Sequence, residues 1–299
     1  MKYIKTVYGK IPIRELATHK IPNHPQLMLK MRARNLYNNE IDKLGAPLLI
    51  KLKNGKVSFL NERTKYYLDE IAWIRAGNSP HKIKLPRSIT PKLAYLTGYL
   101  YGDGGFKDIR KSYQKSKRFE HKIIVGDEFE IQIKRIKQLF QELFNLKTKI
   151  RTERIQKGER LYYLNPTCKM VYRFFTRIFE FPEGPKKSIK IPKLIENGSS
   201  ELRKWFLRGF IDADGDVRAT EYYSIKKLPT PRIKVRLADK GFVEQLKKYL
   251  NKDFKLGLTG PYSDTGRDWY VQCGKKGLIN ARNEMIFFHP IKEWRLEKF

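Results

Sequence analysis

The apolar residues of this chain follow two different spacings. Residues 121–143 and 232–250 each begin with alternating polarity, which predicts a strand, and continue with apolar residues three and four positions apart, which predicts an amphipathic helix. In "RIKVRL" (232–237) the alternation separates basic from apolar residues, so one strand face is cationic and the other is apolar. These elements predict an α+β fold with antiparallel hairpins.

The same pattern occurs twice in the chain. "HKIKLPRSITPKLAYLTGYLYGDGGF" (81–106) parallels "KSIKIPKLIENGSSELRKWFLRGFIDADGDV" (187–217), and each runs from a basic stretch into a helix that ends in Asp-Gly. Both copies continue with strands, a helix, strands and a further helix. This self-similarity predicts two copies of one unit, related by a pseudo-two-fold axis, with domains at 79–186 and 187–299.

Residues 1–78 have no counterpart in the repeat. "PQLMLKMRARNLYNN" and "RTKYYLDEIAWIRAG" are predicted as helices on either side of a short hairpin around "KLKNGKVSF". We therefore predict a small, mostly helical N-terminal domain, joined to the repeats through "AGNSPHK". Two roles stay open for this domain, which are contact with nucleic acid and bracing of the repeats.

Composition limits the possible partners. The chain has 63 Lys and Arg against 31 Asp and Glu, a net charge of +32 that is spread along its length and predicts a phosphate-rich partner. A membrane surface is the weaker alternative, because the sequence has no long apolar run, signal peptide or lipidation motif. Cys168 and Cys273 are too few for a disulfide framework or a cysteine zinc site, which favours a reducing cytoplasm. A prokaryotic or archaeal cell is favoured over an organelle.

Small residues inside two equivalent helices predict a close helix pair. A glycine within a helix costs about 1 kcal/mol relative to alanine, so its presence needs another reason. Gly98 and Gly102 in the first copy, and Gly209 and Ala213 in the second, are four positions apart and share a helix face. Small residues on one face allow two helix backbones to approach more closely than usual.

Such a helix pair would bring two acids, Asp103 and Asp214, side by side at helix C-termini. Two carboxylates at negative helix ends require cations, and a divalent metal such as Mg²⁺ or Mn²⁺ fits best. A single Asp-Gly would be an ordinary helix end, but two copies at equivalent ends favour the metal site. Asp212 corresponds to Tyr101 in the first copy and is predicted to be structural.

The two segments "LTGYLYGDG" (96–104) and "LRGFIDADG" (207–215) resemble the signature helices of single-chain LAGLIDADG homing endonucleases, and so do "KIKLP" and "SIKIP" before them. The resemblance covers roughly residues 80–290. It implies two αββαββα repeats that form a saddle of antiparallel sheets in the DNA major groove. It also implies a monomeric, site-specific, Mg²⁺-dependent endonuclease, intron-encoded or free-standing, that cuts both strands and leaves 3′ overhangs.

The resemblance also implies site residues. The last acid of each signature is the metal-binding catalytic residue of the family, which implies Asp103 and Asp214, and Gly102 and Ala213 directly before them are assigned to the same metal site. Basic residues line the centre in this family, which implies that Lys169 and either Lys275 or Lys276 are catalytic. Because the fold can also serve without cleavage, an RNA-binding intron maturase and a DNA-binding regulator remain alternatives.

Cations on strands and adjoining segments predict the surface for a long double-stranded DNA site. A solvated strand face usually mixes charge signs, whereas rows of Lys and Arg suit phosphates and base edges. The basic segments 107–118 and 218–232, directly after the acids, are predicted as loops at the edge of the nucleic acid. The DNA-binding candidates are Lys107, Arg110, Lys147, Lys149, Arg151, Arg218, Arg232, Lys234 and Arg236.

Overall fold

The computed structural model describes residues 2–6, 9–13, 26–43, 45–77, 79–113, 116–154, 160–186, 188–220 and 230–299. The fold is α+β, as predicted, and all described strand pairs are antiparallel. None of the helices in these ranges combines the length and the apolar character needed to cross a membrane.

Short elements precede the repeats. They are β1 (Lys2–Thr6), β2 (Gly9–Ile13), β3 (Leu27–Met28), α1 (Asn39–Asp42), β4 (Leu48–Leu52), β5 (Val57–Phe59), β6 (Ile71–Ala76) and β7 (Ser88–Ile89). β1 pairs with β2 and β3 pairs with β7, while β5, β4 and β6 form a three-stranded sheet that we call the N-terminal sheet.

Each repeat has the predicted order αββαββα. The first consists of α2 (Pro91–Asp103), β8 (Gly104–Tyr113), β9 (Ser116–Asp127), α3 (Glu130–Phe144), β10 (Ile150–Arg154), β11 (Arg160–Leu164) and α4 (Lys169–Ile178). After α5 (Lys193–Glu196), the second consists of α6 (Ser200–Asp214), β12 (Gly215–Thr220), β13 (Thr230–Leu237), α7 (Lys240–Phe254), β14 (Thr259–Tyr262), β15 (Trp269–Cys273) and α8 (Lys275–Asn283). The chain continues into α9 (Pro290–Glu297).

The two repeats have the same sheet topology. The strands are ordered β8-β9-β11-β10 in the first repeat and β12-β13-β15-β14 in the second. The apolar positions that predict α3 and α7 are buried, including Ile133, Ile136, Val243 and Leu246. The Asp239 carboxylate caps α7 by accepting a hydrogen bond of 2.9 Å from the Phe242 amide. Local sequence and topology therefore agree in both copies.

The prediction of a mostly helical N-terminal domain is wrong for its described residues. The second predicted helix is instead β6, because Ile71, Trp73 and Ile74 are β-branched or aromatic residues that favour a strand when they can pack. The first is reduced to a short 3-10 helix, because Arg32 pairs with Tyr67 in an extended conformation. The hairpin of β4 and β5 is present as predicted.

The chain forms two compact units. One contains Ala94–Gly102, Lys187–Phe299 and the residues up to His24, and the other contains Pro25–Leu93 and Asp103–Lys186. The helix α2 therefore contributes most of its residues to the unit that contains the second repeat. The domain boundaries after residues 78 and 186 stay predictions.

Candidate catalytic centre and nucleic-acid interface

The helices α2 and α6 pack through direct backbone contact. A Cβ atom added to Gly98 would lie 1.9 Å from the carbonyl oxygen of Phe206, and one added to Gly209 would lie 2.0 Å from that of Tyr95. Both distances are far below van der Waals contact, so only glycine fits at either position. Tyr95 and Phe206 are equivalent in the repeat, so the contact is reciprocal, as a pseudo-two-fold axis requires. The predicted close helix pair is confirmed.

The close approach continues to the C-terminal ends of the helices. A Cβ atom on Gly102 would lie 2.3 Å from the Cβ of Ala213 and 3.0 Å from the carboxylate Oδ2 of Asp214. Asp214 is the last residue of α6 and is half-buried, whereas Asp103, the last residue of α2, is exposed. The packing therefore brings the Asp214 carboxylate directly beside Gly102.

The other acid of the second signature, Asp212, has a structural role, as predicted. Its side chain is fully buried and accepts a hydrogen bond of 2.5 Å from the Tyr95 hydroxyl of α2. It also accepts one of 2.9 Å from the Phe288 amide. A buried carboxylate is stable only when its oxygens are paired, and these two donors pair them. Asp212 thus joins α6 to α2 and to the segment before α9.

A residue that the sequence pattern did not identify, Lys292 of α9, lies at the same helix end. Its ammonium donates hydrogen bonds to the carbonyl oxygens of Asp212 at 2.6 Å and Ala213 at 2.7 Å, and more weakly to that of Ile211 at 3.4 Å. These carbonyls lie in the last turn of α6, where a cation offsets the negative end of the helix dipole. Lys292 was missed because nothing in the repeat pattern links α9 to α6.

The two residues predicted to hold a divalent cation, Asp103 and Asp214, are the last residues of α2 and α6. Hard cations such as Mg²⁺ take oxygen ligands and are commonly held by one or two carboxylates together with water and phosphate. Asp103 and Asp214 are carboxylates of this kind, and the metal site stays a prediction. The carbonyl of Ala213, also assigned to the metal site, already accepts a hydrogen bond from Lys292. Across the described ranges, no cluster of three or more His, Cys, Asp or Glu could hold a metal.

The catalytic candidate Lys169 has a partner from outside the repeats. It is the first residue of α4, and its ammonium forms an ion pair with Asp42 of α1. Arg173, one turn further along α4, donates to the same carboxylate at 2.8 Å and to the Leu36 carbonyl at 3.1 Å. Burial lowers the pKa of the Lys169 ammonium. Lys169 thus anchors the N-terminal segment to the first repeat.

Lys275 and Lys276 occupy the equivalent start of α8 in the second repeat, and both are exposed. Together with Lys255 they line a cleft of about 700 Å³. The pair therefore offers accessible positive charge, in contrast to Lys169.

The cationic strand face of β13 is formed as predicted. Ile233 and Val235 are fully buried, while the Arg236 side chain is 43% exposed and that of Lys234 is 22% exposed. Arg232 donates to Gln272 of β15 at 2.8 Å. Neighbouring side chains therefore hold the cations of this face in fixed positions.

One acid and one aromatic ring contact this face. Asp264, between β14 and β15, forms an ion pair with Arg236 and lies 4.0 Å from the Lys234 ammonium. The Lys234 ammonium is also 3.5 Å from the ring centroid of Tyr270. An anion bound at this face would compete with Asp264 for these two cations.

The remaining DNA-binding candidates belong to the first repeat or to β12. Lys107 is exposed on β8, Arg151 is exposed on β10, and Lys147 and Lys149 are exposed just before β10 begins. Lys147 and Lys149 thus lie outside the strand that the alternation predicted. The side chains of Arg110 and Arg218 lie outside the described part of the chain.

The two basic segments predicted as loops are partly strands. The strand β8 ends at Tyr113 and β9 begins at Ser116, so residues 107–113 and 116–118 belong to strands. Ladder hydrogen bonds along this hairpin satisfy the backbone, which a long loop would leave to water. In the second repeat, β12 ends at Thr220 and β13 begins at Thr230, and residues 221–229 are outside the described ranges.

Both cysteines are free thiols. Burial raises the pKa of the Cys273 thiol to about 11 and also raises that of Cys168. Because the reactive form is the thiolate, neither residue is suited to nucleophilic chemistry.

No protein-family model matches this sequence. Glutamine–fructose-6-phosphate aminotransferase of Methanocaldococcus jannaschii is 26% identical over 230 residues, which is 73% of this chain and 18% of that protein. A probable translation initiation factor IF-2 of the same organism is 28% identical over 235 residues, 75% of this chain and 18% of that protein. A similar factor of Thermococcus kodakarensis is 26% identical over 234 residues, 75% of this chain and 17% of that protein. The chain thus spans less than a fifth of the length of the curated relatives it matches.

Three solved structures illustrate the similarity in fold. I-DmoI in complex with DNA and Mn covers 66% of this chain and 96% of its own, with a TM-score of 0.45 and 22% identity. The homing endonuclease I-WcaI bound to its DNA recognition sequence covers 69% of this chain and 85% of its own, with a TM-score of 0.46 and 18% identity. I-LtrWI bound to target DNA covers 66% of this chain and 82% of its own, with a TM-score of 0.45 and 14% identity. At these similarities no residue role or activity transfers to this chain. The solved structures that the chain is similar to are LAGLIDADG homing endonucleases, the family whose two signature helices its sequence resembles.

Proposed function

We propose that this chain is a site-specific endonuclease that hydrolyses both strands of duplex DNA, with Mg²⁺ or Mn²⁺ held by Asp103 and Asp214. The observation that carries the proposal is the reciprocal glycine packing of α2 and α6, which continues to Gly102 and the Asp214 carboxylate. Gly98 and Gly209 would be costly choices in isolated helices. Their placement is explained if the two acidic helix ends must act together.

Each part of the chain has a separate role in this reaction. Asp103 and Asp214 hold the divalent cation, while Asp212, through Tyr95, keeps the second acidic end in position. The metal would supply activation of a water molecule and stabilisation of the leaving oxygen. The cations of β13 contact phosphates and base edges and so position the duplex. Because one chain carries both acidic helix ends, it acts as a monomer. Its free thiols suit a reducing cytoplasm.

The relatives provide separate support for a self-contained activity. An aminotransferase and a translation initiation factor have different activities. Each nevertheless matches this chain over 18% of its own length. A segment common to such different proteins does not explain either of their named activities. A segment that spreads between unrelated genes and carries its own function, such as DNA cleavage, would produce this pattern.

The test is cleavage of a randomised DNA library in Mg²⁺, followed by sequencing of the cut ends. Wild-type protein is expected to give staggered cuts with 3′ overhangs at one long site. Asp103→Asn and Asp214→Asn should each lower double-strand cleavage at least about a hundredfold, because each removes a charged metal ligand. Binding to the site in EDTA should persist in both variants.

Asp239→Asn is the matched control, because Asp239 is a helix cap and asparagine caps a helix equally well. Cutting by either Asp103→Asn or Asp214→Asn at the rate of this control would refute the metal site. Specific binding without cutting by the wild type would favour a DNA-binding regulator. Selective binding of intron RNA would favour a maturase.

A further inference from the structure

The N-terminal sheet has one buried and one outward face. In β4, Leu48, Ile50 and Leu52 are buried, whereas Leu49 and Lys51 between them are partly exposed. Because side chains alternate along a strand, Leu49 and Lys51 lie on the face opposite the core. We call this opposite face, with the side chains that adjoin it across the strands, the outer face.

The strand register defines two rows of side chains across the outer face. One row joins Val57, Lys51 and Trp73, and the other joins Phe59, Leu49 and Arg75. Val57 and Phe59, both on the edge strand β5, are 53% and 57% exposed. Large apolar side chains grouped on an exposed sheet edge indicate a surface that meets another molecule.

Two further cations adjoin these rows. The bridge between Ile74 and Ile83 places Lys82 beside Arg75 and Lys84 beside Trp73. The Lys82 ammonium and the Arg75 guanidinium lie 5.4 Å and 5.6 Å from the Trp73 ring centroid, so two cations share one indole. Like charges on neighbouring strands repel, so this arrangement destabilises the free sheet. A bound polyanion would remove that repulsion.

The charge of this sheet selects its partner. Residues 48–60 and 71–84 contain six cations and no Asp or Glu, the cations being Lys51, Lys53, Lys56, Arg75, Lys82 and Lys84. A protein partner would ordinarily be met by a surface of mixed sign. Cations around exposed apolar and aromatic side chains fit a nucleic-acid backbone, in which phosphates alternate with apolar sugar faces.

The N-terminal segment is also fixed to the first repeat, through the bonds of Asp42 to Lys169 and Arg173. A surface held by buried ion pairs can bind without first being ordered, which lowers the cost of binding. The two open roles of this segment, bracing and nucleic-acid contact, are therefore compatible.

We propose that the outer face of the N-terminal sheet binds the phosphate backbone of duplex DNA and is a docking surface separate from the sheets of the two repeats. The inference deepens the proposed function and rests on it for the identity of the partner. Lys82, Lys84 and Arg75 contact phosphates, while Phe59 and Trp73 exclude water beside them. The surface adds affinity without base readout.

The test measures affinity for a random-sequence duplex in EDTA as a function of salt, so that cleavage plays no part. Lys82→Gln/Lys84→Gln should lower the slope of log affinity against log salt by nearly two, since each lost phosphate contact removes about 0.9. At low salt, affinity should fall about tenfold or more. The matched control is Lys134→Gln/Lys137→Gln, which removes two exposed lysines from α3 in the same unit.

The control is expected to keep the wild-type slope, and unchanged thermal melting of both variants shows that they fold. Equal slopes for Lys82→Gln/Lys84→Gln and the wild type would overturn the docking surface and leave the proposed nuclease intact. A wild type that binds no duplex would overturn both. A wild type that binds duplex, with the expected slope change, but never cuts would overturn only the proposed cleavage.

Discussion

At the scale of single residues, the C-terminal end of α6 is contacted by a cation from another helix, Lys292 of α9. The last carbonyls of α6 carry the negative end of the helix dipole and lie beside the Asp214 carboxylate. The Lys292 ammonium neutralises part of this charge through its bonds to Asp212 and Ala213. It therefore stabilises the helix end and at the same time competes with any metal for the Ala213 carbonyl.

We predict that Lys292→Met lowers the stability of the protein and raises its affinity for Mn²⁺. Loss of the ammonium removes its hydrogen bonds to the carbonyls of Asp212 and Ala213 and its charge from the helix end, so the free energy of unfolding should fall by about 1 to 2 kcal/mol in urea titrations. Removal of positive charge beside Asp214 should at the same time raise the affinity for Mn²⁺, measured by electron paramagnetic resonance without DNA. Lys298→Met, which removes an exposed cation at the end of α9, is the control. Equal Mn²⁺ affinity in the two variants would show that Lys292 is only a helix cap.

At the scale of secondary structure, the α2 and α6 contact sets two physical effects against each other. Helix propensity alone predicts that Gly98→Ala or Gly209→Ala would stabilise the protein by about 1 kcal/mol. The new Cβ would, however, lie 1.9 Å or 2.0 Å from a backbone carbonyl oxygen, which cannot move as a flexible side chain can. The clash outweighs propensity, so the helices must separate.

Each glycine substitution should therefore lower the free energy of unfolding by about 3 kcal/mol or more, measured by urea titration. The control is Gly241→Ala in α7, where the nearest heavy atom to the added Cβ is 3.4 Å away. That variant should be as stable as the wild type or slightly more stable. If Gly98→Ala behaved like Gly241→Ala, the close helix contact would be contradicted.

The sequence predicts the contact between α2 and α6 well because the same spacing of small residues occurs in both copies of the repeat. The spacing of Gly98 and Gly209 in two equivalent segments is enough to predict the contact. The strand β6 is predicted wrongly as a helix because Trp73 and its neighbours have no second copy, and single short apolar runs do not separate helix from strand. Contacts such as those of Lys292 and Asp264 depend on which segments meet in space, and local sequence patterns do not contain that information.

At the scale of the whole molecule, the net charge of +32 works against compactness, because like charges repel in the folded state. Buried carboxylates that hold cations together therefore have unusual importance. Burial raises the pKa of Asp42, but hydrogen bonds from Arg173 and Lys169 outweigh this effect and keep the pKa below its ordinary value. Burial and the same two cations lower the pKa of nearby His121 to about 4, so His121 adds no positive charge at neutral pH.

Asp42 links the N-terminal segment to the first repeat through its ion pairs with Lys169 and Arg173. Asp42→Asn keeps the shape of the side chain but leaves Lys169 and Arg173 without a counter-charge, and their side chains are only 15% and 2% exposed. Removing one partner of a buried ion pair costs about 3 to 5 kcal/mol, so the free energy of unfolding should fall by that amount in urea. Limited proteolysis should also cut first within the N-terminal segment. Glu62→Gln removes an exposed acid from the same segment and should change neither measurement. If the two variants were equally stable, Asp42 would not anchor the segment, and the outer face would lose its rigid support.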